Sequence, residues 1–324
     1  MKKTANLLLV ICISSIVINQ VPIFGVTSTT GNLIVVQSTF CGKTIDQFDN
    51  VIDGTTSDDL LWGTSKNDLI RGFDGNDSIV GGGGNDCIYG GSGGDMIFAG
   101  RGTDTIFGDD GDDRIYGSGG NDLIYGGNGN DKIWGGQGDD TIDAGNGNNT
   151  VYGNQGNDIV ISGDGNDKIW GGRGDDIIYA GIGDNEVHGN QNDDTITGGD
   201  GNDKIWGGRG DDTIDAGNGN NTVYGNQGND VIVTGNDDDW INGGNGNDVI
   251  HAGSGQDKIF GRQGNDNLFA ESGDDLLHGG AGNDLLDGGA GTDQCYGAQG
   301  HNTFVDCESQ RPMTEEVGIN EDED

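Results

Sequence analysis

The sequence predicts an all-β solenoid in which one short strand and one turn recur every nine residues. Three observations carry this. From Gly54 to Val305 the chain divides into 28 consecutive nonapeptides without an insertion or deletion. Gly fills the first position in 20 of them and the fourth in 24, so left-handed backbone or close backbone approach recurs at fixed places. The eighth position is Ile, Leu or Val in 26, and a triplet such as Lys132-Ile133-Trp134 reads as a strand with its middle side chain on one face. One unit buries nothing alone; stacked units share a thin core along their eighth positions.

Composition removes the alternatives. The 68 Gly come with only 2 Pro and no three-residue period, which excludes collagen. A flexible linker lacks apolar residues at regular intervals. The net charge of −40, from 55 acidic and 15 basic residues, argues against nucleic acid as a partner. Such acidity means either solvation or many carboxylates that need a cation, and a register kept over 28 units favours the second.

In chain order, residues 1–28 read as a secretory signal peptide. Lys2 and Lys3 precede an apolar run from Leu7 to Ile18, and the small-residue exit Gly25-Val26-Thr27-Ser28 follows. The run is short for a spanning helix, and no other segment has the length and hydropathy to cross a membrane. Residues 29–53 form an N-terminal capping segment, in which Leu33-Ile34-Val35-Val36 is expected to cover the first coil, because an open sheet end invites aggregation. Residues 54–305 are the repeats, and 306–324 an acidic, solvated tail.

Units such as Gly126-Gly127-Asn128-Gly129-Asn130-Asp131-Lys132-Ile133-Trp134 resemble the haemolysin-type (RTX) calcium-binding repeat G-G-x-G-x-D-x-U-x. The resemblance implies a right-handed parallel β-roll, a two-sheet solenoid with two units per coil. It also implies calcium between the turns of adjacent coils, held by sixth-position carboxylates and turn carbonyls. The implied ligands are Asp59, Asp68, Asp77, Asp86, Asp95, Asp104, Asp113 and Asp122. They continue through Asp131, Asp140, Asp158, Asp167, Asp176, Asp194, Asp203 and Asp212. The series ends with Asp230, Asp239, Asp248, Asp257, Asp266, Asp275, Asp284 and Asp293. Fourteen turns along each edge leave at most 26 inter-turn sites.

Departures from the pattern matter. Ser57 and Lys66 replace the fourth-position Gly in the first two units, which are expected to cap the roll without binding calcium. Asn149, Asn185 and Asn221 stand at sixth positions 36 residues apart, on alternate coils of one edge, where weaker sites are expected. Asn302 is the fourth such replacement. Asp-Lys-Ile-Trp-Gly-Gly recurs at Asp131, Asp167 and Asp203, so the middle of the roll reads as block duplication.

If consecutive units alternate between two sheets, one outer face carries a row of ninth-position aromatics. Trp134, Trp170 and Trp206 recur in every second coil, about 9.6 Å apart, as a candidate face for stacking on the sugars of a polysaccharide. The plainer account is a cross-strand aromatic ladder. Removal of the signal leaves Cys41, Cys87, Cys295 and Cys307. Cys41 and Cys307 would lie at opposite ends of a rod about 65 Å long. Cys295 with Cys307 is the expected terminal staple, and Cys41 with Cys87 the remaining pair.

No catalytic constellation emerges. Gly90-Gly91-Ser92-Gly93-Gly94 matches a nucleophile elbow, but falls inside two repeats where no strand-to-helix turn is expected. Cys41-Gly42-Lys43-Thr44 resembles the end of a P-loop without its first Gly. The four His are dispersed. The chain therefore reads as a non-enzymatic, extracellular or cell-surface calcium-binding scaffold whose folding depends on calcium. The alternative is a carbohydrate-binding or adhesion module using the aromatic face, with cell-surface glycans or like chains as partners.

Overall fold

The computed structural model describes residues 39–311. The signal segment, the Leu33-to-Val36 strand and residues 312–324 lie outside them. Residues up to Gln47 and those from Phe48 onward form separate units. In the first, Thr39–Phe40 and Lys43–Thr44 pair antiparallel around Cys41 and Gly42, both left-handed (φ 47° and 75°), before a 3-10 turn at Ile45–Gln47. The P-loop-like residues thus make a hairpin.

The second unit is built from two parallel sheets of 15 strands each. Sheet I runs from Asn50–Asp53 to Thr303–Val305 and sheet II from Leu60–Trp62 to Ser309–Arg311, with consecutive strands alternating between them. The pairing register is eighteen residues: Ile115 stands between Ile97 and Ile133. Each eighth-position side chain therefore lies against its counterparts in the coils above and below. Those from Ile70 to Leu286 are buried to 1% exposure or less, in a core only two side chains thick. In calcium, Ile169→Ala is expected to cost about 2–5 kcal/mol, read as a lower urea midpoint, because a one-residue layer has no neighbour able to fill the cavity.

The sheets extend past the 54–305 register by one strand at each end. Asn50–Asp53 is a partial unit with Ile52 beside Ile70. At the other end Ser309 pairs opposite Gln294, and the shortened coil is closed by a Cys295–Cys307 disulfide with 6.0 Å between Cα atoms.

Most strands are longer than the three residues expected. Lys132–Gln137 is typical at six, because the first three turn positions keep pairing with the next coil. Left-handed residues at the second and fourth positions make the corner, as at Gly127 (φ 115°) and Gly129 (φ 146°). The first-position Gly has a different cause. A Cβ on Gly117 would lie 2.6 Å from Asp122 Oδ2 and 2.6 Å from the Gly135 carbonyl oxygen. What excludes a side chain there is the neighbouring oxygens.

Candidate metal centres

Every sixth-position side chain begins as a structural device. At the turns from Asp59 to Asp293, its backbone N–H donates to a side chain one coil on. The Asp113 N–H donates to Asp131 Oδ1 at 2.8 Å, and Asp104 N–H to Asp122 Oδ1 at 2.8 Å. Two axial ladders of this bond run along the two edges. Asn supports the ladder equally well, since Asp131 N–H donates to Asn149 Oδ1 at 2.9 Å.

The second carboxylate oxygen separates the two residue types. In 21 of the sixth-position aspartates between Asp77 and Asp293, Oδ2 is fully buried without a hydrogen-bond partner. A buried, unpaired carboxylate oxygen is costly unless a proton or a cation meets it. The space it faces is lined by more oxygen. Asp122 Oδ2 and the Gly135 carbonyl of the next coil converge beside Gly117, and Asp158 Oδ2 and the Gly171 carbonyl beside Gly153. No group of three or more His, Cys, Asp or Glu side chains forms among the described residues. A cation here takes one carboxylate per coil plus turn carbonyls, an all-oxygen set suited to a hard ion such as calcium.

Asn at the sixth position shows what that space wants. Asn149 Nδ2 donates to the carbonyls of Gly145 and Ser162, both at 3.4 Å, and Asn185 Nδ2 to the Gly183 carbonyl at 3.0 Å. Asn221 Nδ2 reaches the Gly217 carbonyl at 3.3 Å. The amide supplies positive hydrogens where Asp presents a negative oxygen. In the first two units the backbone does the same: the Thr55 and Thr64 N–H groups donate to Asp59 and Asp68 Oδ2 at 2.6 Å each. Those two carboxylates need no ion.

Burial raises the carboxyl pKa along both edges. Asp113 is pushed up to about 8, chiefly by loss of solvent; the Asp95 N–H opposes the shift, and the Asp131 and Asp95 charges add to it. Asp194 reaches about 8 in the same way, between Asp176 and Asp212. Such groups resist ionisation until a cation is placed beside them.

The two edges differ. The turns leading into sheet I keep Gly at every first position from Gly63 to Gly297 except Ala99, and Asp at every sixth up to Asp284. Their six-residue strands are unbroken from Ser78–Gly83 to Leu276–Ala281. On the opposite edge the first positions from 144 to 270 are Ala, Ser or Thr except Gly198. There Thr234 Oγ1 donates to the Ala252 carbonyl at 2.7 Å, and pairing stops at three residues in Ile159–Ile161, Val231–Val233 and Val249–His251. The sequence pattern flagged the Asn; the first-position side chains were the available signal it left unread.

The sequence model of the RTX calcium-binding nonapeptide repeat (4 copies) matches overlapping segments that together cover residues 49–304. The chain belongs to this family. It is a calcium-binding repeat protein with the parallel β-solenoid of RTX repeats. No curated protein matches it. One solved structure, a hyperactive, Ca2+-dependent, β-helical antifreeze protein from an Antarctic bacterium, aligns over 81% of this chain and 85% of its own. The identity is 20% and the TM-score 0.42.

The RTX turns account for the glycine-rich false motifs. Ser92 of the elbow-like match ends the strand Cys87–Ser92, and no α-helix occurs among the described residues. The aromatic row on sheet II forms a cross-strand ladder. Trp134 lies between Tyr116 and Tyr152, with ring centroids 4.5 and 5.6 Å away. Trp170 lies between Tyr152 and His188, and Trp206 between His188 and Tyr224, all with nearly parallel planes. One strand spacing matches ring-stacking distance, so the rings cover one another's faces and turn their edges outward.

Proposed function

We propose that this RTX protein is an exported, non-catalytic calcium-loaded scaffold, with one ion held where Asp Oδ2 of one coil meets the first-position carbonyl of the next. The buried, partnerless Oδ2 atoms of the turn aspartates other than Asp86 are the observation that carries this reading. They also set its ceiling. Of the 28 sixth positions, four are Asn and two are aspartates already satisfied by Thr N–H groups, which leaves 22 carboxylates rather than 26 gaps. The twelve from Asp86 to Asp284 on the regular edge form the uninterrupted series. Between Asp131 and Asp239 the opposite edge alternates aspartates with turns closed by an Asn amide.

Repetition without a catalytic cluster suits a load-bearing or surface-coating element, and the signal-like N-terminus suits export. Among the described residues no helix is long and apolar enough to cross a membrane.

The test replaces Asp122, Asp158 and Asp194 with Asn together. The variant is expected to fold in calcium, because each amide meets the carbonyls as Asn149 does, and to bind about three fewer ions by equilibrium dialysis. Unchanged calcium content would remove these aspartates from the ligand set.

A further inference from the structure

The charged side chains of the solenoid are sorted between its sheets. Between residues 72 and 310 the chain has nine Lys and Arg, and all nine lie on strands of sheet II. Those strands carry a single acidic residue, Glu186, which pairs with Lys168. Sheet I has the reverse character, with Arg71 as its one basic residue and Asp109, Asp110, Asp143, Asp200, Asp215 and Asp287 along its strands. A chain of net charge −40 thus presents one cationic face.

That face has a period. Lys132, Lys168 and Lys204 occupy the same seventh-position row, separated by Thr150 and Glu186 in the pairing register. Arg173 and Arg209 occupy the third-position row two coils apart. Two strand spacings are about 9.6 Å, roughly one disaccharide of an extended chain. Between the two rows run the edge-on rings, and Gln137, Gln155, Gln191 and Gln227 complete the third-position row with amides able to bond hydroxyls. Among the described residues only Lys168 of these cations is held in an ion pair.

We propose that sheet II binds a linear anionic polysaccharide laid along the solenoid, with one carboxylate or sulfate per disaccharide facing each cation pair. A duplex nucleic acid fits poorly, since its phosphates repeat about every 3.4 Å along a strand. A second copy of this chain fits poorly too. Its sixth-position carboxylates are buried, the acidic residues of its sheet I stand at irregular intervals, as in Asp110, Asp143 and Asp200, and its exposed fifth positions mix Asn with Asp, as in Asp112, Asn130, Asn148 and Asp184. The recognition uses charge and hydrogen bonds along the strand rows rather than ring faces.

The experiment is calorimetric titration of the calcium-loaded full chain with a hyaluronan decasaccharide, with neutral dextran and oligo(dT) as comparators. Binding is expected to hyaluronan alone, weakening about tenfold or more when salt screens the row. The variant Lys132→Gln/Lys168→Gln/Lys204→Gln is expected to lose it while taking up as much calcium as the parent. The calcium measurement keeps failure of this proposal distinct from failure of the calcium reading. Absence of hyaluronan binding, equal binding by the variant, equal binding of dextran, or preference for oligo(dT) overturns the proposal. Charge-dependent self-association without polysaccharide binding does so as well, by making a second copy the occupant.

Discussion

Chelating calcium from the mature protein at pH 7.5 is expected to abolish its β-structure, and restoring calcium to return it cooperatively. The cause is the row of buried carboxylates. Along each edge, successive sixth-position side chains sit one strand spacing apart, about 4.8 Å, and 21 of the aspartates leave an oxygen without a donor. Each such group costs about 1–3 kcal/mol or more if ionised and uncompensated. The eighth-position core offers one Ile, Leu or Val per nine residues, about 1.5–3 kcal/mol of transfer free energy each, against the ordering of all nine. The unfavourable terms win unless cations join the coils, so binding and folding are one process. Far-UV circular dichroism with dialysis measures this. A chain that keeps its full β-signal in EGTA at neutral pH would show that the carboxylates are satisfied some other way.

Acid is expected to substitute in part for calcium. With the metal chelated, the folded-state pKa of Asp113 and Asp194 is about 8, and that of Asp122, Asp140 and Asp176 about 7, against 3.8 for a solvent-exposed carboxyl in the unfolded chain. Burial is the main cause in each. A raised folded-state pKa means the folded chain binds more protons. That stabilisation is fully present below about pH 3.8 and disappears as pH rises through 6 to 8. In EGTA, β-structure and melting temperature should therefore rise as pH falls from 8 to 5. In calcium the dependence reverses, because protonation of the ligands expels the ion. Parallel pH profiles in the two conditions would contradict this account. The Asp122→Asn/Asp158→Asn/Asp194→Asn variant should show a weaker acid effect in chelator, since three of the titrating groups are gone.

The nine-residue period made the solenoid legible because each unit repeats the same local demand: left-handed residues at a corner, an apolar residue inward, a side-chain acceptor at the turn. The burial of Ile133 and the carriage of Asp131 to the turn were legible from position alone, since stacking identical units brings identical positions together whatever the details of the coil. The Cys295–Cys307 closure followed from the short distance along the chain. The orientation of Trp134, Trp170 and Trp206 was not legible in the same way. Spacing along one strand row specifies where rings are, but their orientation is set by Tyr152 and His188 in the coils between, at stacking distance.

By itself, then, the sequence determined the all-β repeat class, the identity of the buried apolar row and the set of carboxylates carried to the turns. These are consequences of period and chemistry that need no knowledge of a neighbour. The tertiary structure alone decided which carboxylate oxygens stay without a donor, which turns an Asn amide or a Thr hydroxyl closes, and that nearly every cation shares one sheet. Each of those depends on contacts eighteen residues apart, formed only when one coil is laid on the next.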